Sequence, residues 1–159
     1  MQFHRLLACL CASTLIIGLH PSAYAATAAI QLKNVAEVEM QSGNEFKRVP
    51  AKNVPPDGEV IYTTTFKNIS GEPVNNVTIT NPVPQNTLYI ASSAVGSNAD
   101  ITYALNGKNY DIPENLEVKG AHGKGRPAIA SDYTYIRWVY KGELAPGESG
   151  AVSFRVKVR

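Results

Sequence analysis

One short segment of the chain gathers side chains that could bind an anion. Lys119-Gly-Ala-His-Gly-Lys-Gly-Arg126 places three cations around a glycine-rich stretch. The backbone N–H groups of such a loop, together with Lys119, Lys124 and Arg126, could hold an anion such as a sugar phosphate. The segment is not a P-loop, because no hydroxyl residue follows Lys124. A flexible, solvated loop without a ligand is the preferred interpretation.

His122 lies in the same segment and is the one histidine beyond residue 25. Catalysis by a serine nucleophile needs an imidazole held on a rigid element beside an orienting carboxylate. A glycine-rich loop does not supply that support, and Gly147-Glu-Ser-Gly150 is not the G-x-S-x-G elbow of hydrolases. The sequence therefore predicts a protein without enzymatic activity, catalytic residues or a cofactor.

Metal ligands are sparse in the sequence. Zinc sites need several Cys or His residues, and Cys9 and Cys11 both fall in a segment that we expect to be removed. Calcium sites need clustered carboxylates, and Asp57 and Glu59 are the one close pair that includes an aspartate. We predict no metal site, although folding could still bring distant carboxylates together around calcium.

A second candidate surface lies in the aromatic stretch Tyr133–Tyr140. Tyr133, Tyr135 and Arg137 share one parity of this predicted strand, and Trp138 has the opposite parity. The size of Trp138 favours the core, so we expect the other three side chains to face outward. Exposed Tyr and Arg often anchor protein interfaces, although tyrosine is also an ordinary strand former on an outer face.

The tentative ligand or partner surface therefore comprises seven side chains: Lys119, His122, Lys124, Arg126, Tyr133, Tyr135 and Arg137. The overall composition limits what this surface could bind. The 159 residues carry a net charge of +2, from 15 Lys and Arg against 13 Asp and Glu. This balance excludes the strongly basic field of a nucleic-acid-binding protein.

The first 25 residues are predicted to be a signal peptide. Arg5 precedes the apolar run Leu6–Leu19, which is too short to cross a hydrocarbon core of about 30 Å as a helix. Ala23-Tyr-Ala25 offers the small residues of a cleavage site, so we expect cleavage after Ala25. A lipoprotein cleavage at Cys9 and a retained anchor are the alternatives. The expected product, residues 26–159, is one domain without cysteine or membrane span, located in the periplasm or at the cell surface.

An apolar period of two residues runs through the rest of the chain and predicts strands. They are placed at 29–41, 59–67, 74–80, 88–91, 101–105, 108–112, 133–140 and 151–159. Asn106-Gly107 predicts a type I′ hairpin turn, and residues 113–131 are predicted to be a long loop. No helical periodicity is present. The predicted fold is an all-β antiparallel immunoglobulin-like sandwich of about seven to nine strands, with closure of one sheet on itself as the alternative.

The same period assigns side chains to faces. Ile30, Leu32, Val38 and Met40 are predicted to point inward from the first strand. In the last strand, residues 152, 154, 156 and 158 are predicted to point inward, and Arg155, Lys157 and Arg159 outward. Such a basic strand could attract acidic polymers, but protection of a sheet edge against aggregation is the preferred interpretation.

Several stretches together resemble the bacterial family called domain of unknown function number eleven. They are Val54-Pro-Pro-Asp-Gly-Glu-Val-Ile-Tyr62, Asn68, Asn76-Val-Thr-Ile-Thr-Asn-Pro-Val-Pro84, Ile136-Arg-Trp138, Leu144-Ala-Pro-Gly147 and Ser153-Phe-Arg-Val156. These motifs follow one another in the family's order and span most of residues 35–159. Two departures stand out: Asn81 replaces the usual aspartate, and the segment 101–131 is longer than a minimal domain needs.

The resemblance implies an immunoglobulin-like sandwich in a single exported copy, from a family that offers no catalytic residues. We therefore expect a non-enzymatic binding or structural module of the bacterial cell envelope. Its partner would be an envelope protein or a cell-surface polysaccharide, without nucleic acid. The alternative function is a carbohydrate- or anion-binding domain that uses the basic loop 119–126.

Overall fold

The computed structural model describes residues 29–43, 45–120 and 124–159. Eleven strands occur in these residues. They are β1 (Ile30–Ser42), β2 (Glu45–Pro50), β3 (Glu59–Asn68), β4 (Thr78–Pro82), β5 (Thr87–Tyr89), β6 (Val95–Gly96), β7 (Ala99–Ala104), β8 (Glu117–Lys119), β9 (Gly125–Pro127), β10 (Tyr135–Tyr140) and β11 (Ser149–Val158). The only helices in the described part are two 3-10 turns, Pro113–Asn115 and Ala130–Asp132. The predicted all-β class without a substantial helix is confirmed.

The strands form open antiparallel sheets. The largest has the order β2-β1-β3-β11-β5, and β6 also pairs with β11. A second sheet has the order β4-β10-β7, and β8 and β9 form a separate two-stranded sheet. Every strand pair is antiparallel, as predicted. The number of strands exceeds the predicted seven to nine, because β2, β6, β8 and β9 lie in segments where no strand was predicted.

Alternating side chains of β3, β10 and β11 form the centre of the core. Trp138 and Ile136 of β10 are completely buried, and Phe154 and Val156 of β11 are buried with them. The rings of Trp138 and Phe154 lie 6.1 Å apart. The predictions that Trp138 is in the core and that β11 alternates between core and solvent are confirmed.

Of the four β1 side chains predicted to point into the core, two do so and two do not. Ile30 and Val38 pack against the core, but Leu32 is 52% exposed and Met40 is 56% exposed. The three-stranded sheet is too narrow to cover the whole inner face of the six-stranded sheet. Parts of β1 therefore have no strand of the second sheet packed over them. Beyond Glu37, β1 continues as a hairpin with β2, where Phe46 is 72% exposed.

The last strand does not lie at a sheet edge, so the interpretation of its cations as edge protection is wrong. β11 pairs with β3 on one side and with β5 and β6 on the other. Its outward cations contact carboxylates: Arg155 Nη2 lies 2.8 Å from Glu39 Oε1, and Lys157 Nζ lies 2.8 Å from Asp57 Oδ1. These contacts lower the pKa of Glu39 and of Asp57. The positive charges of the strand are largely neutralised.

The segment 101–131 differs from its prediction in two ways. The second arm of the predicted hairpin, 108–112, forms only one bridge, in which Tyr103 and Asp111 exchange backbone hydrogen bonds of 2.9 and 3.0 Å. The turn is not type I′, because Gly107 has φ +72° while Asn106 lies outside the left-handed region. The predicted long loop contains the β8–β9 sheet and both 3-10 turns.

Candidate binding cleft

A cleft of about 650 Å³ opens beside the end of β7. Its volume lies in the range of sites that bind small molecules. Its floor is apolar, formed by Leu105, Leu116 and Val118. Its polar lining consists of Asn106, Asn109, Asn115, Glu117, Lys119 and Asp132. The cleft therefore combines three amides with two carboxylates and one cation above an apolar floor.

A tight turn after β7 positions the first two amides. Asn106 Oδ1 accepts hydrogen bonds from the backbone N–H of Lys108 at 3.0 Å and of Asn109 at 3.4 Å. The turn lies against the ring of Tyr135, since a Cβ added to Gly107 would come within 2.9 Å of that ring. The Asn106 and Asn109 side chains are exposed on top of this support.

Asp111 positions the third amide. Asn115 Nδ2 donates to Asp111 Oδ1 at 2.9 Å, and the backbone N–H of Ile112 donates to the same oxygen at 2.8 Å. Asp111 is itself held to β7 through its backbone bridge with Tyr103. A short chain of hydrogen bonds thus connects the cleft wall to the sandwich.

An ion pair holds Asp132, which lines the cleft. Arg126 donates to both oxygens of Asp132, at 2.6 and 2.8 Å, and the backbone N–H of Ile129 donates to Asp132 Oδ2 at 2.8 Å. The Arg126 guanidinium and this backbone bond lower the pKa of Asp132 from 3.8 to about 2. Asp132 is therefore ionised at neutral pH and cannot act there as a general acid.

The predicted basic loop is only partly brought to the cleft. Lys119 ends β8 and lines the cleft, whereas Arg126 is engaged by Asp132. Lys124 is exposed, and its carbonyl accepts the Gly120 N–H at 2.9 Å. His122 and the predicted cleavage site at Ala25 lie outside the described residues. The Arg126–Asp132 pair offsets one of the three charges on which the anion-binding interpretation depends.

The prediction that Tyr133 faces outward is wrong. Tyr133 is 7% exposed and stacks on Tyr103 at 4.6 Å between ring centroids, with Tyr89 at 5.9 Å. Burial raises the pKa of Tyr133 above its usual value. The physical reason is local: the 3-10 turn Ala130–Asp132 precedes Tyr133, so the strand alternation begins only at Tyr135.

Tyr135 and Arg137 are half-buried rather than fully exposed. The Arg137 guanidinium lies 3.5 Å above the centroid of the Tyr110 ring, and its Nε donates to Thr80 Oγ1 at 3.3 Å. Tyr135 supports the Gly107 turn and, with Tyr133, borders a second cleft of about 470 Å³ that runs beside Arg159. Both side chains are thus engaged within the chain, which leaves little of an aromatic partner surface.

The sequence pattern did not identify Asn106, Asn109 and Asn115 as candidate binding residues. The available signal was the extra length of 101–131, because single asparagines in a turn carry no distinguishing pattern. No group of three or more potential metal-binding His, Cys, Asp or Glu side chains occurs among the described residues. Within the same residues, no helix is long and apolar enough to cross a membrane.

Comparisons of the sequence with known proteins do not assign the chain to a family. No protein-family model matches the sequence, and no curated protein matches it.

Proposed function

We propose that this protein is a non-enzymatic binding module of the bacterial cell envelope. In this proposal, a signal peptide cleaved after Ala25 exports the chain to the periplasm or the cell surface. The remaining domain is a single immunoglobulin-like sandwich of the family called domain of unknown function number eleven. The antiparallel all-β fold and the motifs between Val54 and Val156 support that assignment.

The ligand class that the cleft fits best is a saccharide of the envelope. A sugar hydroxyl both donates and accepts hydrogen bonds, and an amide side chain offers one group of each kind. Asn109 offers both groups to the cleft, and Glu117 adds an acceptor. Asn106 offers its Nδ2 donor, because its Oδ1 accepts two backbone N–H groups, and Asn115 offers its Oδ1 acceptor, because its Nδ2 donates to Asp111. The apolar floor can contact the C–H face of a sugar ring. The presence of three amide side chains and three apolar side chains on the lining of one cleft is the observation that carries the proposal.

Anion binding is the second candidate. Lys119 lies in the cleft itself, so an acidic or phosphorylated sugar could bind there with one charge contact. The Arg126–Asp132 pair limits the positive charge, so we expect hydrogen bonding to contribute more than charge. If one charge contact contributes, the binding affinity should fall less than about threefold between 50 and 200 mM salt. The affinity of a purely electrostatic site would fall far more over the same range.

Purified protein tests the proposal on an array of bacterial envelope saccharides, both neutral and acidic. We expect binding to at least one saccharide, and Asn109→Ala to weaken it on the order of tenfold, which is the loss of one to two hydrogen bonds. Asn75→Ala is the matched control, because Asn75 is an exposed asparagine outside the cleft. It should leave binding unchanged.

Two results would contradict the proposal. One is the absence of any saccharide binding, combined with capture of an envelope protein that Asn109→Ala does not affect. The other is turnover of a bound saccharide, which would make the protein an enzyme. Circular dichroism of each variant verifies that the fold is retained.

A further inference from the structure

The first half of β1 presents an open edge of backbone hydrogen-bonding groups. The Ile69 N–H donates to the Ala29 carbonyl at 2.9 Å, so the odd-numbered residues at this end of β1 bond to β3. The Ala51 N–H donates to the Ala36 carbonyl at 2.9 Å, so even-numbered residues point to the other side. In the described part of the chain, no strand lies on that side of Ile30, Leu32 and Asn34.

The edge strands β2, β4 and β5 of the two larger sheets are protected in ways that this edge is not. β2 carries Lys47, Arg48 and Pro50. β5 has three residues, and β4 ends at Pro82. Natural sheets use charge, proline and shortness in this manner to prevent pairing between molecules.

The outer side of β7 is covered in part by the Asp111 bridge. By contrast, residues 30–35 of β1 contain no proline and one charged residue, Lys33. Leu32 and Val35 are exposed there to 52% and 37%. An unprotected, partly apolar edge is a template for strand addition.

We infer that this edge pairs with the same edge of a second copy of the chain, so that two large sheets join into one. The open segment 29–35 ends at Ala36, where β2 takes over, and its midpoint is Leu32. An antiparallel pairing around a two-fold axis at Leu32 therefore uses the whole segment. Because Leu32 points its N–H and carbonyl to the open side, the axis falls on a hydrogen-bonded pair.

The side chains fit this register. Leu32 would meet Leu32 of the second copy, which covers an apolar side chain that the second sheet leaves exposed. Ile30 would face Asn34, whose Oδ1 is held by Thr64 Oγ1 at 2.7 Å. Lys33 would face Gln31, so no like charges stand opposite each other. A pairing of this length is smaller than a standard interface, so we expect a Kd of about 10–100 µM.

Sedimentation velocity of the full chain over about 5 µM to 1 mM tests the inference. We expect a monomer–dimer equilibrium, and Leu32→Glu should raise the Kd at least tenfold by opposing two carboxylates across the axis. Met40→Glu is the matched control, because Met40 is equally exposed on β1 but lies in the part that pairs with β2, opposite Lys47. It should leave the Kd within about twofold.

Amide hydrogen exchange of the unaltered protein gives a second readout that needs no variant. The amides of Ile30, Leu32 and Asn34 should become protected as concentration rises, whereas those of Gln31 and Lys33 already bond to β3 and should not change. A monomer at 1 mM, or a dimer that Leu32→Glu and Met40→Glu weaken equally, would overturn the inference. Protection at this edge by another polypeptide while the chain stays monomeric would overturn it as well.

Discussion

Asparagines lie at both ends of β10, and they have opposite environments. Beyond the end of β10, Asn68 is completely buried. Its Nδ2 donates to the carbonyls of Glu72 and Leu144 at 2.7 and 2.8 Å, and its Oδ1 accepts from the N–H and hydroxyl of Ser70. Beside the start of β10, the asparagines of the cleft are exposed. The polar groups of Asn68 are satisfied within the chain, whereas Asn109 offers its side-chain amide to solvent.

The difference separates stability from binding. A buried amide whose partners are all within the chain adds to folding and has no group left for a ligand. An exposed amide adds little to folding, since water replaces its partners at small cost. Mutations at the two ends should therefore change different measured quantities.

Replacing the buried asparagine tests the stability side of this comparison and has the largest expected effect. Asn68→Ala should lower the free energy of unfolding by about 2–4 kcal/mol, because buried polar groups lose partners and a cavity remains. Urea denaturation followed by circular dichroism measures the change. Asn109→Ala, at the other end, should stay within about 0.5 kcal/mol. Equal losses for both variants would break the comparison.

A pair of glycine replacements probes how tightly each end is packed. A Cβ added to Gly150 would overlap the ring of Phe66, whereas one added to Gly125 lies 3.4 Å from the Val118 carbonyl oxygen. We expect Gly150→Ala to cost about 1–3 kcal/mol and Gly125→Ala to be nearly neutral. Thermal unfolding of the two variants checks the order. A larger loss for Gly125→Ala would mean that the cleft end is the rigid one.

Acid titration examines the ion pair at the cleft. The pKa of Asp132 is lowered to about 2 from 3.8, chiefly by Arg126, so its stabilising effect is present above pH 3.8 and is lost as pH falls through about 2. The amide signal of Ile129, which bonds to Asp132, should report that midpoint in nuclear magnetic resonance spectra. Arg126→Gln should raise the midpoint, and Lys124→Gln should leave it unchanged. An unmoved midpoint in Arg126→Gln would show that the pair does not set this pKa.

The sequence predicted those features that depend on local alternation. The last strand and the burial of Trp138 follow from the short-range alternation of apolar and polar residues. Tyr133 was misplaced because a 3-10 turn, rather than the strand, sets its direction. The burial of Leu32 was predicted wrongly, because it depends on which strands of the other sheet lie over this part of β1.

The cleft could not be predicted for a related reason. Its amides come from the turn after β7 and from the Asn115 region, and they converge only because Asp111 returns to Tyr103. Asp132 joins them from the segment before β10 and brings Arg126 with it. These residues lie far apart along the chain, and no local periodicity indicates that they meet. Only the extra length of 101–131 pointed to this part of the chain.

The central claim is that the cleft, and not the buried asparagine or the basic loop alone, binds an envelope saccharide. The most direct test is a titration of isotope-labelled protein with the saccharide found on the array, followed through the backbone and side-chain amide signals. We predict saturable shifts of Asn106, Asn109 and Asn115, with Asn68 unmoved. Shifts confined to Lys124 and its neighbours, or to the β1–β2 hairpin, would contradict it.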